Sequence, residues 1–218
     1  MAKLDITRTN LAIEHLLDVT ENPRHRYLLR VCYRYRFLAM AGRYEELFGP
    51  EMMSATPAYH FHCGGRHRDL TGKEAIECLY RMWADTNQSV FFAENERVAV
   101  ADNFVASVFT IHQQVWSRTI NWNRAVPVLP GFLSERVLKE MLSETGHQPD
   151  EDAMYVYKNR IETIWHFDDW GRVAGKDVWE PQPDCAEITK LDPVDVITTR
   201  EAEELLRSSI ATALPRAA

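Results

Sequence analysis

The chain has 218 residues, of which 45% are hydrophobic and 26% charged, a mixture that can bury a sizeable core. Its formal net charge of −7 argues against a broad nucleic-acid surface. No stretch approaches the roughly 18 consecutive apolar residues that a membrane span needs, and the opening MAKLDITRTN has no apolar core of a secretory signal. The four cysteines, Cys32, Cys63, Cys78 and Cys185, show no CxxC spacing. The expectation is a reduced, cytoplasmic protein of one domain over 1–218, with the cysteines mostly as core filler.

In chain order, TRTNLAIEHLLDVTENP places Leu11, Leu16 and Leu17 at helical spacing and stops before Pro23. A second helix is predicted from Pro23 to about Phe48, with Leu28, Val31, Cys32, Tyr35, Leu38 and Ala39 as its apolar stripe and Gly42 ending or bending it. Residues 57–63 alternate as a strand, with Tyr59, Phe61 and Cys63 on one face and His60 and His62 on the other. Thr71 and Glu74 have the spacing of a capping box for a third helix, whose buried face is Ala75, Ile76, Leu79, Tyr80 and Trp83.

From 88 the period becomes two. SVFFAENERVAVADNFVASVFTIHQQVW reads as two or three strands with a tight turn at Ala101-Asp102-Asn103. AMYVYKNRIETIWHF is a long strand, DDWGR a hairpin turn, and VAGKDVWEP the returning antiparallel strand. Between these groups, 118–150 is an apolar insertion with a helix from about Ser134 to Thr145. A last helix is expected over 198–214, capped by Thr198 and Glu201. Helices first and long antiparallel strands afterwards argue for an α+β fold.

The order of elements is similar to the nuclear transport factor 2-like superfamily, especially its SnoaL-like branch. The residues that carry the resemblance are Gly72-Lys73-Glu74-Ala75-Ile76, the strand end Val98-Ala99-Val100-Ala101-Asp102-Asn103, and the helix end Ala41-Gly42-Arg43-Tyr44-Glu45-Glu46-Leu47-Phe48. It covers roughly 25–115 and 153–180. The resemblance implies a cone-shaped, curved antiparallel sheet wrapped around N-terminal helices, with an apolar cavity that hosts cofactor-free chemistry or only binds. It also implies pairing into a homodimer or homotrimer. Family members that resemble dehydratases carry an aspartate near the end of the second helix and a histidine on the strand after the third. The matching positions here are Met40 and Val90 or Phe91, so that pair is absent.

Acid/base groups must then come from elsewhere, and AYHFHCGGRHR, residues 58–68, is the densest source. A metal site would begin with His-x-His, but Arg66 and Arg68 follow where an acidic ligand is wanted. No metal and no cofactor are expected. Histidine titrates near neutral pH without help, and a phenol in a dry cavity can pass a proton. Tyr59 and His60 are the first catalytic candidates, and Tyr35 and His112 the reserves. Each has a structural alternative: Tyr35 and His112 as packed or hydrogen-bonded core groups, and His60, His62 and His67 as solvated edge. Trp83, Trp116 and Trp179, with Trp122 and Trp165, are candidate walls for an aromatic substrate. Arg160 is either a polar group at the cavity mouth or part of a surface charge ladder with Glu162 and Asp177. The layout also resembles γ-formaldehyde lyases acting on lignin-derived diaryl compounds. This resemblance implies a cofactor-independent lyase losing water or formaldehyde; the alternatives are an isomerase, hydratase or cyclase of the same fold, or a non-catalytic binding or assembly module.

Overall fold

Periodicity decides the layering. We describe a computed structural model, which defines residues 3–63, 66–116, 150, 152–211 and 214. The 118–150 insertion, with Trp122, lies outside the described residues, apart from Asp150. The helices are α1 (Leu11–Val19), α2 (Pro23–Met40), α3 (Tyr44–Leu47) and α4 (Lys73–Asp85), followed at the C-terminal end by α5 (Thr199–Ile210). The strands are β1 (Met53–Cys63), β2 (Arg66–Thr71), β3 (Phe91–Val100), β4 (Phe104–Trp116), β5 (Met154–Phe167), β6 (Val173–Trp179) and β7 (Glu187–Lys190). They form one sheet of order β2-β1-β6-β5-β4-β3, with β7 added against β5. The outer strands do not meet, so the fold is α+β with a curved, unclosed sheet. All pairings are antiparallel except β1 with β6, which is parallel.

α2 is the pillar of the concave side. Pro23 opens it, and the Asn22 side chain accepts from the backbone N–H groups of Arg24 and His25, meeting donors that a helix start leaves unpaired. The expected stripe is buried, with Leu28, Val31, Tyr35 and Leu38 each at most 1% exposed. These residues share one core with Phe61 of β1, Phe109 of β4, and Ile161 and Trp165 of β5. Gly42 ends the helix at φ +68°, a conformation that a side chain disfavours. The predicted single helix to Phe48 is therefore two, α2 and the short α3.

Two smaller expectations change. α4 starts from Gly72 at φ +87° with no side-chain cap, and Thr71 ends β2, so the Thr71–Glu74 capping box does not form. The capping box at Thr198 and Glu201 does. Cys32 and Cys63 are buried, but Cys78 and Cys185 are exposed and are not core filler. Among the described residues no helix is long and apolar enough to cross a membrane.

Candidate active site

The sheet's period of two sorts the candidates by face. In β1, Tyr59 and Phe61 point inward and His60 and His62 outward. In register, Tyr59 of β1 pairs with Lys176 of β6, and Lys176 with Trp165 of β5. A tyrosine, a lysine and a tryptophan thus stand side by side on the concave face. Above them lies a chamber of about 70 Å³. Its apolar wall includes Phe61, Trp83, Phe109, Ile161 and Val178. Its polar groups include Tyr35, Tyr80, Arg36, Gln113, Thr163 and Lys176.

The phenols form a chain. The hydroxyls of Tyr35 and Tyr59 are 2.6 Å apart, Tyr35 donates to the Tyr80 hydroxyl at 2.8 Å, and Tyr44 donates to the Tyr80 carbonyl. Tyr59 is fully buried and sits one hydrogen bond behind the chamber, while Tyr35 and Tyr80 line it. Burial raises all three pKa values, so these phenols keep their protons and act as donors.

Arg36 is buried against Glu96, with side chains 4% and 2% exposed. Two contacts, 2.5 and 2.9 Å, make the pair bidentate, and the Ser107 hydroxyl donates to Glu96 at 2.6 Å. A bulge in β3 creates this pair. Glu94 pairs with Thr110 and Arg97 with Val108, which leaves two residues opposite one, and Asn95 takes φ +54°. Phe91 and Ala93 face inward before the bulge; Glu96 and Val98 do so after it. Without the extra residue Glu96 would point to solvent.

Lys176 has the least expected environment. Its Nζ lies 4.4 Å from the Trp165 ring centroid, and among the described residues it makes no ion pair or hydrogen bond. Burial, and then the nearby Arg36 guanidinium, lower its pKa to about 7, with the Cys32 and Cys63 sulfurs opposing. Three further buried polar atoms of the wall have no partner among the described residues: Gln113 Oε1, Thr163 Oγ1 and Trp165 Nε1.

The sequence candidates divide. Tyr35 and Trp83 line the chamber, as does Trp165, and Tyr59 supports it. The others lie elsewhere. His60 is on the outer face, with its side chain 40% exposed and Nδ1 2.6 Å from Asp69. His112 alternates with the lining residues Ile111 and Gln113 and pairs outward with Glu94 at 3.0 Å. Trp179 stacks on His62 on the outer face. Arg160 is exposed beside Glu162, and Trp116 packs in a separate small cluster with Met154, Val156 and Leu191. Met40 is buried outside the lining, next to the lining residue Ala39. Glu180 anchors a second buried polar knot, accepting from Tyr157 and from Asn159 Nδ2, but does not line the chamber.

No family model matches the chain, and no curated protein matches it in sequence. Among solved structures it is similar to an NTF2-like protein from Anabaena variabilis ATCC 29413, at 14% identity and a TM-score of 0.44 over 74% of this chain and 93% of that one. It is similar to a putative polyketide cyclase from Xanthomonas campestris pv. campestris, at 9% identity and a TM-score of 0.44 over 72% and 91%. It is also similar to SalBIII, an epoxide hydrolase/cyclase-like enzyme of pyran ring formation in the polyether salinomycin, at 10% identity and a TM-score of 0.43 over 74% and 93%. At these identities neither activity nor substrate transfers.

Proposed function

We propose that the protein is a cofactor-independent enzyme that uses this chamber for acid/base chemistry on a small aromatic molecule, a lyase releasing formaldehyde and water from a benzylic diol. One observation carries the reading. An amine without a counter-ion among the described residues stands in a largely apolar chamber, with its proton affinity brought near neutrality, beside phenols that stay protonated. That separates a base from an acid within one site.

In the proposed reaction neutral Lys176 takes the proton of the terminal hydroxyl. The carbon–carbon bond breaks, formaldehyde leaves, and the released electron pair forms a double bond as the benzylic hydroxyl departs. The hydrogen-bonded phenol chain of Tyr59, Tyr35 and Tyr80 gives that hydroxyl a proton and it leaves as water. One proton is taken and one given, so the diol becomes an alkene, formaldehyde and water with no redox partner. Arg36 is largely neutralised by Glu96 and acts as a fixed dipole at the wall.

The three unpartnered wall atoms support ligand binding. Each buried polar group left unsatisfied costs about 1–3 kcal/mol, a cost that a ligand's hydroxyls would remove. Size also bears on the substrate. The chamber's 70 Å³ is about half the roughly 150 Å³ that takes up benzene. The reacting carbons fit inside, and an aromatic ring lies toward the open side.

The test is incubation of purified protein, without added cofactor, with 1-aryl and 1,2-diaryl propane-1,3-diols, following formaldehyde and conjugated alkene. Tyr35→Phe is expected to lower kcat by about 100-fold or more, the usual worth of a positioned proton donor. Binding of these diols without turnover would favour a ligand-binding module. Full activity of Tyr35→Phe would remove the phenol from the mechanism.

A further inference from the structure

The surroundings of Lys176 favour a bond as well as a proton. Register puts its amine between Tyr59 and Trp165. Nζ stands over the Trp165 ring, and Tyr35 packs edge-on against that ring at 4.5 Å. No carboxylate among the described residues pairs with it, in contrast to the exposed Lys158 and Lys190, which face Glu187 and Asp150.

We infer that Lys176 captures carbonyl compounds covalently, so that the chamber binds small aldehydes and ketones as imines. The nitrogen lone pair attacks the carbonyl carbon to give a carbinolamine. The carbinolamine loses its hydroxyl as water with a proton from a chamber phenol, leaving an iminium whose N–H proton returns to the phenolate to give the imine. Amine and carbonyl become imine and water, and no oxidant or reductant takes part. The Trp165 face that now meets an ammonium would meet the iminium cation equally well. The inference rests on the chamber being the reactive site proposed above. An aldehyde set free there by carbon–carbon cleavage would form within reach of this nitrogen.

The probe is benzaldehyde with sodium cyanoborohydride at pH 8, applied to the full chain and read by intact mass and peptide mapping. At that pH a group of pKa about 7 is mostly neutral, whereas an ordinary lysine near 10.4 is neutral to well under 1%, a ratio of about 200. Nucleophilicity falls with basicity, so the expected preference is at least tenfold for Lys176 over Lys158 in the same tube. That preference should shrink as pH rises toward 10. Lys176→Arg, checked for native circular dichroism, should lose the fast adduct and keep the slow surface ones. Labelling spread over the lysines with no preference for Lys176 overturns the inference. If Lys176→Met also abolishes turnover in that case, proton transfer by the amine stands and only covalent capture fails.

Discussion

Replacing Lys176 by Met should make the protein inactive and more stable at once. The amine's pKa falls from the usual 10.5 to about 7, with burial as the first cause. At about 1.36 kcal/mol per tenfold change in proton affinity, the folded state bears at most about 5 kcal/mol for holding the charged form. The residue is partly open to solvent, and losing the contact with Trp165 removes about 0.5–1 kcal/mol. A net gain of about 1–3 kcal/mol for Lys176→Met is therefore expected. The sign follows from proton binding. Between pH 7 and 10.5 the unfolded chain holds more protons at this site, so wild-type stability rises with pH there. The penalty is full below about pH 7 and vanishes by about 10.5. Urea unfolding at pH 6, 7, 8, 9 and 10 measures it, with the two proteins converging toward alkaline pH. A variant less stable than wild type at pH 6, or a difference that does not change with pH, would refute the reasoning.

Two further substitutions probe the wall and the outer face. Glu96→Gln leaves Arg36 buried without its counter-charge and should cost about 3–5 kcal/mol, read by chemical denaturation; replacing both residues by apolar ones should recover much of it. His60→Ala removes a solvated group on the outer face and should leave stability within about 0.5 kcal/mol and kcat/KM within about twofold. A large loss of kcat/KM would mean that His60 reaches the reacting atoms in solution.

The sequence shows clearly what depends on period. Alternation in β1 separates Tyr59 from His60, and the stripe of α2 puts Tyr35 in the core. What it conceals depends on neighbours brought from afar. Lys176 sits in GKDVW, where a lysine reads as solvent-facing because buried lysines are rare. Only the pairing of β6 with both β1 and β5 turns it inward. Glu96 is hidden for another reason, since a bulge breaks the count of two and an even-spaced reading puts it on the wrong face. The histidines stood out by residue type, and the fold places them away from the chamber: His60 and His112 each pair with a carboxylate on the outer face. Trp116 and Trp179 show that a tryptophan marks an apolar neighbour, and here that neighbour is a satellite cluster or another ring.

The most direct measurement is the titration of Lys176 in the folded protein. Side-chain NMR of protein labelled with [15N]lysine, with the resonance assigned through Lys176→Arg, gives the midpoint without any substrate. The account predicts a midpoint near 7, well apart from surface lysines near 10.4. A midpoint above about 9.5 would leave the amine charged at neutral pH and unable to serve as base or nucleophile.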